Sequence, residues 1–235
     1  MNHKCSYLVF ARTPAPGRVK TRLAATLGNE TTLRFYEAML EDTVRNVLQR
    51  LESGNVHEAL LFAYPPESAS ELSLWLNKRN LTHDNLHILP QEGATLGEQM
   101  LVAFRLAEKR GIVPALIIGT DSPTLPQRIF AEAEQNVAQH QAVIGRADDG
   151  GFYLLGLPQV QNTFFFGADY SNDTVYKRTL EALSEHFTSV YELPVWIDID
   201  DEASLQALVR LHVSETEHLS QTLTLARKYV GEKLS

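Results

Sequence analysis

Four short stretches concentrate side chains able to do chemistry. The first, "LVFARTPAPGRVKTRL" (Leu8 to Leu23), sets Arg12, Arg18, Lys20 and Arg22 around a turn shaped by Pro14, Pro16 and Gly17, at a strand-to-helix junction. Cationic side chains beside helix-start N–H groups can hold phosphate oxygens. Basic residues are otherwise disfavoured near a helix N-terminus, which favours a ligand over a merely solvated turn. The second stretch, "IIGTDSPTLP", puts Thr120 and Asp121 directly after an apolar run. A carboxylate there suits a hard divalent cation, Mg²⁺ or Mn²⁺, bridging diphosphate oxygens; the alternative is a cap for the next turn. The third and fourth are "RADDGGFYLLGL" and "WIDIDDEASL". Asp148 and Asp149 precede Gly150 and Gly151, where backbone can pass close under a ligand or simply turn a hairpin. Asp198, Asp200 and Asp201 mark a strand end, and Asp200 and Asp201 equally suit the cap of a final helix.

Several chemistries are excluded. The first stretch lacks the Gly-x-x-x-x-Gly-Lys-Ser/Thr spacing of an ATPase phosphate loop. The eight histidines are scattered, His212 and His218 are six apart, and no His-Glu-x-x-His or Gly-x-Ser-x-Gly is present. Cys5 is the one cysteine, so an internal disulfide and a cysteine-built zinc site are ruled out. Asp and Glu total 29 against 21 Lys and Arg, a formal charge of −8. That balance argues against nucleic-acid binding while leaving room for a local basic pocket. No apolar run approaches the ~20 residues of a membrane span. The apolar part of the N-terminus is too short for a signal peptide. The expectation is a cytoplasmic protein.

The elements that must position these residues follow from hydrophobic periodicity. Short apolar runs at Tyr7–Ala11, Ala59–Tyr64, Leu86–Leu89, Ala115–Gly119, Ala142–Gly145 and Gly151–Leu157 read as strands covered on both faces, and Tyr191–Asp200 as a late strand. Leu33, Tyr36, Leu40, Val44, Val47 and Leu51 form one helical stripe, with Asn29 or Thr31 as its cap. Further helices are expected at Ser68–Arg79, at Gly97–Gly111 with its glycine stop, near Asp173–Glu185, and through the tail from Glu202. Phe164–Gly167 reads as a loop. Strands alternating with helices in 235 residues predict one α/β domain over 1–235 with a mainly parallel sheet. Ligands then bind beyond the carboxyl ends of the strands, where the basic loop and three acidic strand ends should meet.

Taken in order, "FARTPAPGRVKTRL", "LGEQM", "IIGTDSPTL", "DDGGFYLLGL", "FFFGADYSNDTV" and "IDIDDEASL" resemble the bacterial glycosyltransferase-like DUF2064 family. That family is linked by name with radical-SAM/selenodomain and arsenosugar-biosynthesis genes and is related to 2-phospho-lactate guanylyltransferase. The resemblance runs from Leu8 to about Leu208. It implies the nucleotide-diphospho-sugar transferase (GT-A) fold, a three-layer α/β/α arrangement with a mixed, mostly parallel sheet. It implies a nucleotide-phosphate loop at Arg12, Gly17, Lys20 and Arg22, and a metal-binding carboxylate at Asp121. It also implies a second metal ligand at Asp200, although the proline of the related "(D/N)xPxDL" segment is missing from "DDEASL". Tyr170 and Asn172 replace the family's common tryptophan and threonine.

The leading expectation is a metal-dependent glycosyltransferase moving a sugar from a nucleotide-diphospho-sugar to a small acceptor. Lys20 and Arg22 would face developing negative charge, and Asp149 would take the acceptor's proton. Glu98, Thr120, Asp148, Gly150 and Gly151 would line the nucleotide and substrate pocket. A nucleotidyltransferase that joins a nucleoside triphosphate to a phosphorylated small molecule, releasing pyrophosphate, is the alternative. A non-catalytic nucleotide-binding protein is the third.

Overall fold

The computed structural model describes residues 4–139, 141–160, 175–211 and 220–234. Its seven strands are β1 (Cys5–Arg12), β2 (Val56–Tyr64), β3 (Leu86–Pro90), β4 (Ala115–Ile118), β5 (Ala142–Ala147), β6 (Phe152–Leu157) and β7 (Val190–Trp196). The helices are α1 (Thr21–Leu27), α2 (Asn29–Glu52), α3 (Ala69–Asn77), α4 (Leu96–Arg110), α5 (Gln127–Ala138), α6 (Val175–His186), α7 (Glu202–Arg210) and α8 (Gln221–Leu234). One sheet runs in the order β3-β2-β1-β4-β6-β5-β7, and within it only β6 is antiparallel to its neighbours. The carboxyl ends of β1, β4, β5 and β7 therefore share one edge. This is the mixed, mostly parallel α/β/α sheet that the motifs imply.

Alternation along β1 explains the layers. Tyr7, Val9 and Ala11 pack on one face with α2, α3 and α5, while Leu8 packs on the other against α4. Burial on both faces is what a continuous apolar strand requires. A third cluster joins Leu23 of α1 and Phe35 and Met39 of α2 to Ile197, Ile199, α7 and α8. Helix α2 thus carries two apolar faces, the expected stripe and a second one that holds the C-terminal helices.

Three local expectations need correction. Helix α2 starts after Gly28, at φ +78°, with no side-chain cap, so neither Asn29 nor Thr31 caps it. Glycine reaches that conformation without a Cβ clash, ending α1 and opening α2 in one residue. The late strand stops at Trp196 instead of Asp200, because its partner β5 runs out at Ala147, which pairs with Trp196. The third helix is shorter than Ser68–Arg79, beginning after a 3₁₀ turn at Pro66–Ser68. The stop at Gly111, left-handed at φ +70°, is as expected. Residues 161–174 and 212–219, holding Phe164–Gly167, Tyr170, Asn172, His212 and His218, lie outside the described residues. Among the described residues no helix is long and apolar enough to cross a membrane.

Candidate active site

The segment after β7 shows how local sequence aims carboxylates. Residues 197–200 follow β7 without a ladder partner, and burial alternates along them, so successive side chains face two sides. Ile197 and Ile199 are buried in the third apolar cluster, and Asp198 and Asp200 point the opposite way into the cleft. Three backbone-level bonds pin this segment. Ser122 Oγ donates to the Ile197 carbonyl at 2.9 Å. The Ile199 N–H donates to the Asp121 carbonyl at 2.9 Å. The Asp198 N–H donates to Asp148 Oδ1 at 2.9 Å. Asp201 forms the capping box of α7 with Ser204, which frees Asp200 from that role.

These restraints bring Asp121, Asp198 and Asp200 together, with carboxylate oxygens within 4.8 Å of one another. Three hard oxygen donors at this spacing fit a divalent cation such as Mg²⁺ or Mn²⁺. Lys20 joins them. Its Nζ lies 2.6 Å from Asp121 Oδ1 and 2.6 Å from Asp200 Oδ1, and the side chain is 6% exposed. Burial alone would lower the Lys20 pKa, but the charges of Asp121, Asp198 and Asp200 outweigh it and raise it above its ordinary value. Burial, followed by the neighbouring Asp121 charge, pushes Asp198 up to about 8. Lys20 adopts the left-handed region at φ 45°, ψ 56°, which costs a non-glycine residue about 1–2 kcal/mol. Such strain persists only where surrounding contacts hold it, and here the two carboxylates do.

The cluster stands where two chambers of a cleft meet. The larger, about 630 Å³, takes Arg12, Arg18, Lys20 and Arg22 on its walls, with Gln91, Gln99 and Thr120. The smaller, about 480 Å³, takes Asp149, Asp198, Ser122, Gly151 and Phe152. Asp121, Asp200, Arg22, Phe152 and Tyr153 line both. The Tyr153 ring reaches this position by packing against Gly145, where any Cβ would sit 2.3 Å from it. Buried Tyr36 holds the end of β1, accepting from the Arg12 N–H at 2.7 Å and donating to the Arg12 carbonyl at 2.8 Å. The Arg12 guanidinium lies 4.8 Å from the centre of the Tyr64 ring.

Not every expected residue reaches the cleft. Glu98 does not line it; its carboxylate accepts from the Ala94 N–H at 2.8 Å, while its own N–H donates to the Thr95 hydroxyl at the start of α4. The reason is geometric, since the third residue of a helix is placed to reach back over its own cap. Asp148 is likewise turned to the Asp198 backbone instead of the ligand space. Gly17 and Gly150, at φ +71° and +96°, serve the turns themselves. Asp149 accepts from the Gly151 N–H at 2.8 Å, closing the β5–β6 turn, and still lines the smaller chamber. Asp198 does not stand out as a ligand among the three aspartates of its segment, although the Ile-Asp-Ile-Asp alternation signals it, and nothing along the chain marks Gln91 and Gln99. The Gln91 amide donates to Gln99 Oε1 at 2.7 Å, and Gln91 follows β3 at the same carboxyl edge.

The profile of the family described as "Uncharacterized protein conserved in bacteria (DUF2064)" matches residues 47–172. The chain belongs to the DUF2064 family. Asp121, Asp148 and Asp149 of this DUF2064 protein fall inside the match; Lys20, Asp198 and Asp200 lie outside it. Among solved structures, a candidate nucleotide-diphospho-sugar transferase from Desulfovibrio desulfuricans G20 superposes with a TM-score of 0.82 at 27% identity, over 96% of this chain and 95% of that one. A cytidylyltransferase from Leptospira borgpetersenii serovar Hardjo-bovis (TM-score 0.55, 13% identity, 98% and 95% covered) shares the fold. So does Rv0371c from Mycobacterium tuberculosis H37Rv (0.53, 14%, 88% and 99%). No curated protein sequence matches the chain.

Proposed function

We propose that this protein is a transferase that holds a nucleotide-activated sugar in the larger chamber and passes the sugar to a hydroxyl acceptor in the smaller one. The observation that carries this reading is the acidic cluster with Lys20 at the junction of a cationic chamber and an acidic one. Arg12, Arg18 and Arg22 suit the donor phosphates, and the Gln91 and Gln99 amides offer donors and acceptors to a base edge. A divalent cation held by Asp121, Asp198 and Asp200 would supply positive charge beside the diphosphate. Lys20 and Arg22 add fixed positive charge where the departing diphosphate gains negative charge. The bond from the sugar's anomeric carbon to diphosphate oxygen breaks as the acceptor oxygen bonds to that carbon. Asp149 takes the acceptor's proton, and the nucleoside diphosphate leaves. The similarity to the candidate nucleotide-diphospho-sugar transferase supports this reading.

Nucleotidyl transfer is the second reading, favoured by the extent of the cationic wall, with three arginines besides Lys20. Ligand binding tests both readings, and the product of turnover separates them. Thermal shifts with Mn²⁺ or Mg²⁺ and nucleoside diphosphates, triphosphates and nucleotide sugars should show metal-dependent stabilisation. A ligand at a hundred times its Kd contributes about 2.7 kcal/mol. Turnover that releases a nucleoside diphosphate supports sugar transfer, and pyrophosphate supports the alternative. A flat response to the whole panel would overturn both.

A further inference from the structure

The two chambers differ in charge in a way that bears on the acceptor. Asp149 and Asp198 line the smaller chamber alone, and Asp121, Asp200, Phe152 and Tyr153 line it at the junction with the larger one. The one cationic side chain among its described lining residues is Arg22, which is 78% exposed and shared with the larger chamber. Arg12, Arg18 and Lys20 line the larger chamber alone. Residues 161–174, "QNTFFFGADYSNDT", contain Asp169 and Asp173 and no Lys, Arg or His, so this stretch brings no positive charge to any site.

A divalent cation, Lys20 and Arg22 together offset the four carboxylates. The donor's diphosphate adds two negative charges at the junction, which Arg12 and Arg18 meet from the larger chamber, so these two arginines bring no positive charge to the smaller one. An acceptor bearing a phosphate or carboxylate would enter a space of its own sign. Among the described lining residues it would find one arginine fork, the exposed Arg22 already shared with Asp200 and the donor side, and like charges brought together in a partly enclosed site repel strongly. We infer that the acceptor is a hydroxyl compound without phosphate or carboxylate, a neutral polyol or sugar held against Phe152 and Tyr153. This rests on the larger chamber being the donor site. It also weighs against nucleotidyl transfer to a phosphorylated partner.

Ligand-observed NMR on the full chain tests the inference, with Mg²⁺ and uridine, guanosine, cytidine or adenosine diphosphate present. The probes are matched pairs: glycerol with glycerol 3-phosphate, and glucose with glucose 6-phosphate. The neutral member of a pair is expected to bind at least about tenfold more tightly than its phosphate ester. Asp149→Asn keeps an acceptor for the Gly151 N–H and removes one charge, so it should narrow the gap severalfold. Equal or tighter binding of the phosphate esters to the wild-type chain would overturn the inference while leaving the donor site standing. An unchanged gap in Asp149→Asn would overturn its electrostatic origin. Failure of every nucleoside diphosphate to bind with Mg²⁺ would instead overturn the donor reading, and this inference with it.

Discussion

The Lys20 ammonium sits 2.6 Å from Asp121 Oδ1, among the carboxylates best placed to hold a divalent cation. It is their counter-ion, so a cation at these carboxylates competes with it for the same oxygens.

Lys20→Met should therefore tighten Mn²⁺ binding to the nucleotide-free protein by about tenfold or more, since a buried positive charge no longer opposes the ion. The same change should weaken binding of a nucleoside diphosphate in the presence of Mn²⁺. Calorimetric titration with each ligand reads both effects. Weaker Mn²⁺ binding in the variant would mean that Lys20 organises the carboxylates more than it opposes a cation.

Asp198, raised to about 8 by burial and by Asp121, holds a proton over much of the neutral range. A cation that uses this carboxylate must displace that proton, so metal affinity rises with pH. Between pH 6 and pH 8 the Mn²⁺ affinity should climb towards tenfold per unit and level off above pH 8. Asp198→Asn should flatten that slope and lower the affinity. A slope unchanged in the variant would assign the proton elsewhere.

Asp148 touches the backbone of Asp198, and its expected role is to hold that segment in register. Asp148→Ala should lower Mn²⁺ affinity several-fold, while Asp148→Asn, whose side-chain oxygen still accepts the N–H, should restore most of it. If both variants weaken nucleotide binding equally with metal affinity unchanged, the carboxylate faces the ligand after all.

Glu98 closes the start of α4. Glu98→Ala should cost about 0.5–2 kcal/mol of stability, the usual scale for a lost helix cap, with nucleotide affinity unaltered. Chemical denaturation and nucleotide titration of the same variant separate the two. A loss of affinity without a loss of stability would return Glu98 to the ligand pocket.

The apolar runs and the α2 stripe are legible along the chain because strand and helix periods are local properties. The strand ends near Ala11, Gly119 and Ala147 carry the basic turn and two of the acidic groups in plain order. Asp121 and Asp200 stand out for the same reason, each directly after an apolar stretch. The sequence by itself therefore determined the α/β class, the sheet edge that carries the site and most of the charged groups on it. What those groups touch was decided by tertiary structure. Lys20 meets Asp200 across 180 positions of chain, and Asp148 meets Asp198 across 50. Whether an aspartate caps a helix, holds a neighbour's backbone or faces a cation depends on which partner lies within about 3 Å. Side-chain types and spacing carry no such distance; only the folded sheet, with β5 and β7 parallel and Ile197 and Ile199 anchored in the core, supplies it.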